Sequence, residues 1–273
     1  MSFIVDEGKC ISDGACATIC PTRIIRMDKG QKYPAPMPDF KDICIQCGHC
    51  VAICPTGALR LDWLSPEDCD PIRRKLAVTP RQAEQFLCAR RSTRAFREKT
   101  VLRDTLERLL KIACYAPSAK NAQPWYWTVV QDPALVRELA TMVIDWMRTV
   151  IRDNPGEERS VGFARAVASW DEGYDRVLRG APHVIVAHAD KEWGFGAEDC
   201  TLALSLFDLY ATSMGLGTCW AGYLYHAVNA YPPLFEALGL PSAHRACGAM
   251  LVGYPRFTYQ RIPVRNLPQV TWR

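Results

Sequence analysis

Four cysteines within eleven residues constrain this chain more than any other feature of its sequence. The run Cys44-Ile45-Gln46-Cys47-Gly48-His49-Cys50-Val51-Ala52-Ile53-Cys54-Pro55 has the spacing C-x2-C-x2-C-x3-C-P. That spacing presents three thiolates from one tight loop and sends the fourth elsewhere, the arrangement an iron–sulfur cube needs. A tetrahedral zinc ion asks instead for two ligand pairs set apart by a longer spacer.

Upstream, Cys10-Ile11-Ser12-Asp13-Gly14-Ala15-Cys16-Ala17-Thr18-Ile19-Cys20-Pro21 keeps the same frame, with aspartate at the second ligand position. A secreted disulfide framework is disfavoured. The cysteine total, 13, is odd, and Met1 to Cys10 lacks a basic flank followed by an apolar stretch. Residues 1 to about 62 resemble a bacterial two-cluster ferredoxin. In that family the last cysteine of each run ligates the other cluster. The resemblance therefore implies one 4Fe-4S cluster on Cys10, Asp13, Cys16 and Cys54, and a second on Cys20, Cys44, Cys47 and Cys50. Carboxylate is a harder ligand than thiolate, so iron at Asp13 is expected to be labile, and a 3Fe-4S cluster is an open alternative there. The bland alternative is that Asp13 only caps a turn where a first cluster has been lost. A cluster pair has no substrate pocket, so this segment is expected to move electrons while chemistry on a substrate lies downstream.

The 273-residue chain as a whole is ordinary globular protein in composition. Net charge is +4 on 33 basic and 29 acidic residues, without a dense basic run, so no nucleic-acid partner is expected. No segment approaches twenty uncharged apolar residues, and the expectation is a soluble, cytoplasmic protein with no membrane partner. Cys69, Cys88, Cys114, Cys200, Cys219 and Cys247 stand singly in apolar surroundings and read as inert buried thiols. Gly30 to Pro38 is a proline-rich surface loop, and residues 63–80, with Pro66, Pro71 and Pro80, read as a linker.

Beyond the linker, Arg81–Ala89 and Leu102–Tyr115 read as helices, and Trp125–Val130 and His183–His188 as strands. A long helix from about Ala197 to Met214 is stopped by Gly215 and Gly217. This is an α+β pattern. No glycine-rich strand-to-helix turn indicates a Rossmann site, and no Ser-His-Asp, His-Glu-x-x-His or paired-carboxylate set argues for hydrolysis. None of the 5 histidines has a partner visible in sequence.

Three segments carry a second resemblance. Arg90-Arg91-Ser92-Thr93-Arg94-Ala95-Phe96 clusters guanidinium groups and a hydroxyl suited to gripping one phosphate. Ala116-Pro117-Ser118-Ala119-Lys120-Asn121-Ala122-Gln123-Pro124-Trp125 places two amides beside a strand. Gly215-Leu216-Gly217-Thr218-Cys219-Trp220-Ala221-Gly222 is followed by Gly253-Tyr254-Pro255 and Arg261-Ile262-Pro263-Val264-Arg265. In this order they resemble the FMN-dependent nitroreductase family over residues 81–273. The resemblance implies a nitroreductase-like α+β domain, helices around a mainly antiparallel sheet, working as a homodimer with FMN at the subunit interface. It implies that Arg90, Arg91, Ser92 and Arg94, with Arg265 and Arg261, hold the FMN phosphate and ribityl chain. Pro117, Ser118, Asn121 and Gln123 would reach the flavin from the other subunit, and Trp220, Ala221 and Gly222 would run past its ring. The C-terminal segment 267–273 is of the kind that relatives exchange between subunits. Residues 141–180, with Trp146, Met147, Trp170 and Tyr174, have two readings, the family's variable helical excursion beside the flavin or an ordinary core helix pair.

The expected activity is that of an FMN oxidoreductase passing electrons from its own iron–sulfur clusters through flavin to a small organic acceptor, nitroaromatic or quinone-like by resemblance. Its donor would be an external ferredoxin or NAD(P)H. Two rivals stand beside it: an electron-transfer flavin module serving a protein partner, and an NAD(P)H-driven nitroreductase whose ferredoxin segment is structural. The sequence names no catalytic residue.

Overall fold

The computed structural model describes residues 1–273 and forms two compact units. The first comprises Met1–Val78 with Lys120–Ala122, the second Thr79–Ala119 with Gln123–Arg273.

The first unit runs β1 (Phe3–Val5), α1 (Ala15–Ile19), β2 (Ile25–Arg26), β3 (Ala35–Pro36), α2 (Phe40–Ile43), α3 (His49–Ala52) and β4 (Leu59–Leu61). Its ends are tied together because β1 pairs antiparallel with β4, Phe3 opposite Leu61 and Val5 opposite Leu59. Ile24, Ile25, Phe40, Val51, Leu59 and Leu61 form a small core, with Phe3 edge-on to Phe40 at 5.4 Å. The proline-rich loop contributes β3, a two-residue edge strand against β2, where a proline's missing N–H costs nothing. Residues 63–78, expected as linker, belong to this unit. Leu61 and Leu64 exchange backbone hydrogen bonds, Ser65 and Asp68 form a capping box on a 3-10 turn at Pro66–Asp68, and Leu64 and Cys69 pack on the core. The prolines stop helices here without freeing the chain.

The second unit runs α4 (Pro80–Ala89), α5 (Arg103–Ala113), β5 (Tyr126–Val130), α6 (Pro133–Asp153), α7 (Glu158–Asp171), β6 (His183–Asp190), α8 (Gly196–Ser213), β7 (Gly217–Trp220), α9 (Gly222–Ala230), α10 (Pro232–Ala237) and β8 (His244–Gly253). Local chemistry sets the starts. Thr79 and Gln82 form a capping box ahead of α4, and the Asp132 carboxylate accepts from Ala134 N–H at α6; both helices carry proline at their first position. The strands make one antiparallel sheet in the order β5-β6-β8-β7.

Both faces of this sheet are covered. Along β6, Val184 and Val186 join the core formed with α6, α7 and α9, while Ile185, Ala187 and Ala189 join the core formed with α5 and α8. In β8 the alternation slips. Ala187 pairs with Gly248 and His188 with Ala246, so Cys247 is an extra, bulged residue. The bulge returns Ala246 to the same core as Ala249 and Leu251. Gly248 is glycine because a Cβ there would come within 2.6 Å of Leu204 and 2.8 Å of Trp220. Trp146 and Met147 are buried, so α6 and α7 are a core pair at that end, while Tyr174 stands in solvent. No helix is long and apolar enough to cross a membrane.

The single cysteines divide. Cys200, Cys219 and Cys247 are buried, but Cys88 and Cys114 are exposed, correcting the expectation of inert buried thiols at those two. Both sit near helix C-termini on faces that the unit leaves uncovered. Cys200 donates its thiol to Cys247; that bond, with Arg245 beside it, brings Cys247 down to about 7 against the cost of burial.

Buried polar groups lock the sheet to its neighbours. The His183 ring is fixed in its neutral form, accepting from Val101 N–H at 2.7 Å through Nε2 and donating to the Gln131 carbonyl at 2.8 Å through Nδ1. His188 and His244 face each other, Nδ1 to Nδ1 at 2.9 Å, under the Tyr126 ring, with Thr128 on His188 Nε2. Asp208, buried on α8, accepts from the Thr218 hydroxyl on β7 and pairs with Arg90 at 3.2 Å. That carboxylate joins the end of α4 to α8 and to β7.

Two predictions follow from these locks. Burial, then the neighbouring His244, hold His188 neutral down to about 4 from its usual 6.5. Its unfolded form takes a proton first, so its contribution is complete above pH 6.5 and declines as pH falls toward 4. In urea titrations His188→Gln should gain on wild type by about 1.4 kcal/mol per pH unit across that window; parallel curves would refute the neutral assignment. Asp208→Ala leaves Arg90 and Thr218 without their acceptor and should cost about 2–4 kcal/mol, with Asp208→Asn milder because it keeps an acceptor oxygen.

Candidate functional site

In the first unit both cysteine runs adopt the same backbone. Two residues after the leading cysteine the chain turns left-handed, at Ser12 (φ 61) and Gln46 (φ 52), and again two residues later at Gly14 (φ 68) and Gly48 (φ 72). A short helix follows in each case, α1 or α3. Each run ends in Cys-Pro-Thr, and in each the threonine hydroxyl meets the cysteine sulfur: Thr22 on Cys20 at 3.6 Å, Thr56 on Cys54 at 3.7 Å. Asp13 thus stands where Cys47 stands in the second run.

The fold sorts the eight candidate ligands into two cavities. One is lined by Cys10, Asp13, Cys16 and Cys54, with apolar neighbours such as Val5 and Leu59. The other is lined by Cys20, Cys44, Cys47 and Cys50, with Ile24 and Phe40. Each run sends its last cysteine to the other run's cavity. No three of these side chains converge on a point close enough for one metal ion; a cluster holds its ligands farther apart than an ion does. One Asp13 oxygen accepts from Ala15 N–H at 3.2 Å, orienting the carboxylate within its cavity.

The sulfurs differ in environment. Burial raises Cys16, and pushes Cys50 up to about 11. Burial also opposes ionisation of Cys20 and Cys54, but hydrogen bonds outweigh it and leave both below their ordinary value: Thr22 and the Ile24 N–H act on Cys20, the Ala58 N–H and Thr56 on Cys54. Ala58 N–H donates to Cys54 Sγ at 3.2 Å. The donor set is therefore thiol-rich, partly stabilised as thiolate and walled by apolar side chains, which fits iron–sulfur clusters.

In the second unit the arginine segment lies along β7. Ser92 bridges to Thr218, and Thr93 N–H donates to the Thr218 carbonyl at 2.7 Å. Gly217 has to be glycine, since a Cβ would fall 2.7 Å from that of Thr93. Farther along, Arg97 N–H donates to Tyr254 and Arg256 N–H to Ala95, which brings Gly253-Tyr254-Pro255 to the same edge. Two of the three resembling segments thus meet. The arginines are not equivalent. Arg90 is committed to Asp208, whereas Arg91 Nε is buried with no hydrogen-bond partner and Arg94 is exposed with no ion pair. Arg91 Nη1 donates to the Arg90 carbonyl at 3.4 Å, so its Nε is the unsatisfied N–H that, beside the unpaired Arg94, an acceptor such as a phosphate would complete.

Ala221 N–H is bonded to Ala249, and Gly222 opens α9, with Trp220 half in solvent. Ser118 Oγ accepts from Gln123 N–H at 2.9 Å, and Pro117 is exposed. Asn121 belongs to the first unit, where its side-chain amide donates to the Ile45 and Gln46 carbonyls. Arg261 and Arg265 lie on the exposed C-terminal segment, and no hydrogen bond joins them to Arg90–Arg94. Sequence reasoning missed Asp208 and Asp199. Asp199 is buried and accepts from Ala119 N–H and Trp193 Nε1. The available signal was a lone carboxylate on an otherwise apolar helix face.

A nitroreductase-family model matches residues 87–254, and a 4Fe-4S dicluster domain model matches residues 9–58. Among known proteins, the chain is 29% identical to 5,6-dimethylbenzimidazole synthase of Rhodospirillum rubrum over 67% of its own length and 85% of that protein. It is 29% identical to an NADH dehydrogenase of Thermus thermophilus over 67% of its length and 92% of that protein. A nitroreductase of Bacteroides fragilis, solved with bound FMN, superposes with a TM-score of 0.57 at 21% identity, covering 70% of this chain and 99% of that one. That likeness is one of fold. The chain belongs to the nitroreductase family and carries a 4Fe-4S dicluster domain ahead of the family domain.

Proposed function

We propose that this protein is an FMN-dependent oxidoreductase that receives electrons through its own iron–sulfur clusters and delivers them to a small organic acceptor, nitroaromatic or quinone-like in class. The observation that carries this reading is the crossed sorting of Cys10, Asp13, Cys16 and Cys54 into one cavity and Cys20, Cys44, Cys47 and Cys50 into the other. A domain that had lost its clusters would have no reason to keep both ligand sets in register. Two clusters, with the one at Asp13 of either the 4Fe-4S or the 3Fe-4S type, would give eight or seven irons per chain.

Arg91, Ser92 and Arg94 would hold the FMN phosphate, with Arg261 and Arg265 joining them from the C-terminal segment. Arg90 holds Asp208 and acts mainly by fixing the end of α4, so that its neighbours face the anion. Trp220, Ala221 and Gly222 would flank the ring, and Pro117, Ser118 and Gln123 would approach it from a second copy of the chain. When bound, FMN supplies the exchange between single electrons and pairs; the protein supplies binding, orientation and exclusion of water.

A homodimer is part of the proposal. Residues 256–273 are exposed throughout and carry Val264, Leu267 and Trp272 almost wholly in solvent. Apolar side chains strung along an arm without secondary structure find cover on another subunit. NAD(P)H as direct donor is the second reading, favoured by the relative named as an NADH dehydrogenase.

Anaerobic stopped-flow spectroscopy tests the electron path, mixing the full chain with reduced ferredoxin or dithionite and, separately, with NADPH. Cluster bleaching should precede flavin reduction, and NADPH should be slow. Direct reduction of flavin by NADPH while the clusters lag would overturn the relay and support the second reading.

A further inference from the structure

The segment Lys120–Ala122 belongs to the first unit, and its Asn121 is hydrogen-bonded to the second cysteine run. Asn121 Nδ2 donates to the Ile45 carbonyl at 3.2 Å and to the Gln46 carbonyl at 3.1 Å. These are the two residues between Cys44 and Cys47. Two carbonyl acceptors settle which side-chain atom is nitrogen, because only the NH2 group has two hydrogens to give. The backbone is shaped for this contact. Lys120 (φ 51) and Asn121 (φ 55) are both left-handed, a conformation that asparagine adopts readily and lysine rarely.

A trans peptide points its N–H opposite to its C=O. With the Ile45 and Gln46 carbonyls turned to Asn121, the N–H groups of Gln46 and Cys47 are turned away from it. Neither of those N–H groups donates a hydrogen bond within the chain. They are the free donors of the loop whose flanking cysteines line the second cavity. A hydrogen bond at a carbonyl strengthens the N–H of the same peptide as a donor. N–H donors to cluster sulfur stabilise the reduced, more negative state and raise the potential. The first run has no such clamp: the Ile11 and Ser12 carbonyls, at the matching positions, accept no hydrogen bond.

We propose that Asn121 is a positioning residue of the second cluster site, clamping the Ile45 and Gln46 carbonyls so that the Cys44–Cys47 loop keeps its N–H donors on the cluster and its potential above what the bare loop would give. This rests on the reading of Cys20, Cys44, Cys47 and Cys50 as cluster ligands. It also gives Asn121 a task other than the flavin contact that family resemblance implies.

The test is an anaerobic redox titration of the full-length protein followed by electron paramagnetic resonance, with iron release to a chelator and FMN content measured on the same samples. Wild type is compared with Asn121→Ala, Asn121→Asp and Asn121→Gln. In Asn121→Ala one of the two reduction steps should move to more negative potential while the other stays. Half of the iron should be released about 10-fold faster or more, the usual effect of losing an outer hydrogen bond at a metal site. Asn121→Asp, whose carboxylate cannot donate, should move at least as far, and Asn121→Gln, which keeps the amide, should recover part of the shift. FMN content should not change. Unmoved potentials and release rates, or a loss of FMN with both clusters unaltered, would overturn the assignment. If Asn121→Ala is insoluble, Asn121→Asp and Asn121→Gln carry the comparison. Wild-type protein without iron would instead defeat the underlying cluster reading, so the two failures are told apart.

Discussion

The second unit depends on burying one strand completely. β6 is covered on both faces and paired on both edges, and seven of its eight residues are buried. A strand in that position needs partners that match its alternation, and β8 cannot supply them with a regular ladder. The extra residue at Cys247 resolves the mismatch by turning β8 half a step, so that each core receives the side chains it can pack. β7 then hangs on the outer edge of β8. The arginine segment hangs on β7 through Thr218, and Asp208 fixes Arg90 from the next helix. The candidate phosphate site is thus positioned by a bulge two strands away, through a chain of pairings that leaves little freedom at Arg91 and Arg94.

The first unit solves a different problem. Its apolar core is small, and a chain of this size rarely holds its fold on such a core without a disulfide, a metal or a partner. The two cysteine loops share one backbone shape. Their two left-handed turns and short helices recur in both runs, and β1 with β4 closes the unit end to end. Metal binding to such a site is folding free energy, because the ligands are brought together only in the folded state. The Cys-Pro-Thr endings recur with the same contact: in each, the threonine hydroxyl meets the sulfur that lines the opposite run's cavity.

Much of this was legible in sequence where a residue type has few alternatives. The cysteine spacing located both ligand sets, and strong period-3.6 segments located α5 and α8 to within two residues. β8 was not legible. Its Arg245–Gly248 stretch, Arg-Ala-Cys-Gly, has little strand preference, and it is a strand only because β6 and β7 flank it. The His188–His244 pair and the Asp208 link were hidden for another reason: their partners lie 56 and 10 residues away, and no local pattern signals them. Residues 63–78 misled because proline reports the end of a helix and says nothing about whether the chain then leaves the domain.

The arginine segment shows how far residue type alone carries a site. Arg90, Arg91 and Arg94 are chemically identical and adjacent, so sequence reading treats them as one basic cluster. The fold separates them by what each already touches. A buried carboxylate has claimed Arg90, and the attraction of that ion pair offsets most of the charge Arg90 would offer to an anion. Arg91 is the opposite case. Its buried Nε lacks a partner, and such a group costs stability until something accepts its hydrogen. An anion bound at the proposed site would recover that cost, a contribution that exposed Arg94 could not make. The fold thus separates an arginine paired with a carboxylate, one with a buried unpartnered Nε and one exposed charge.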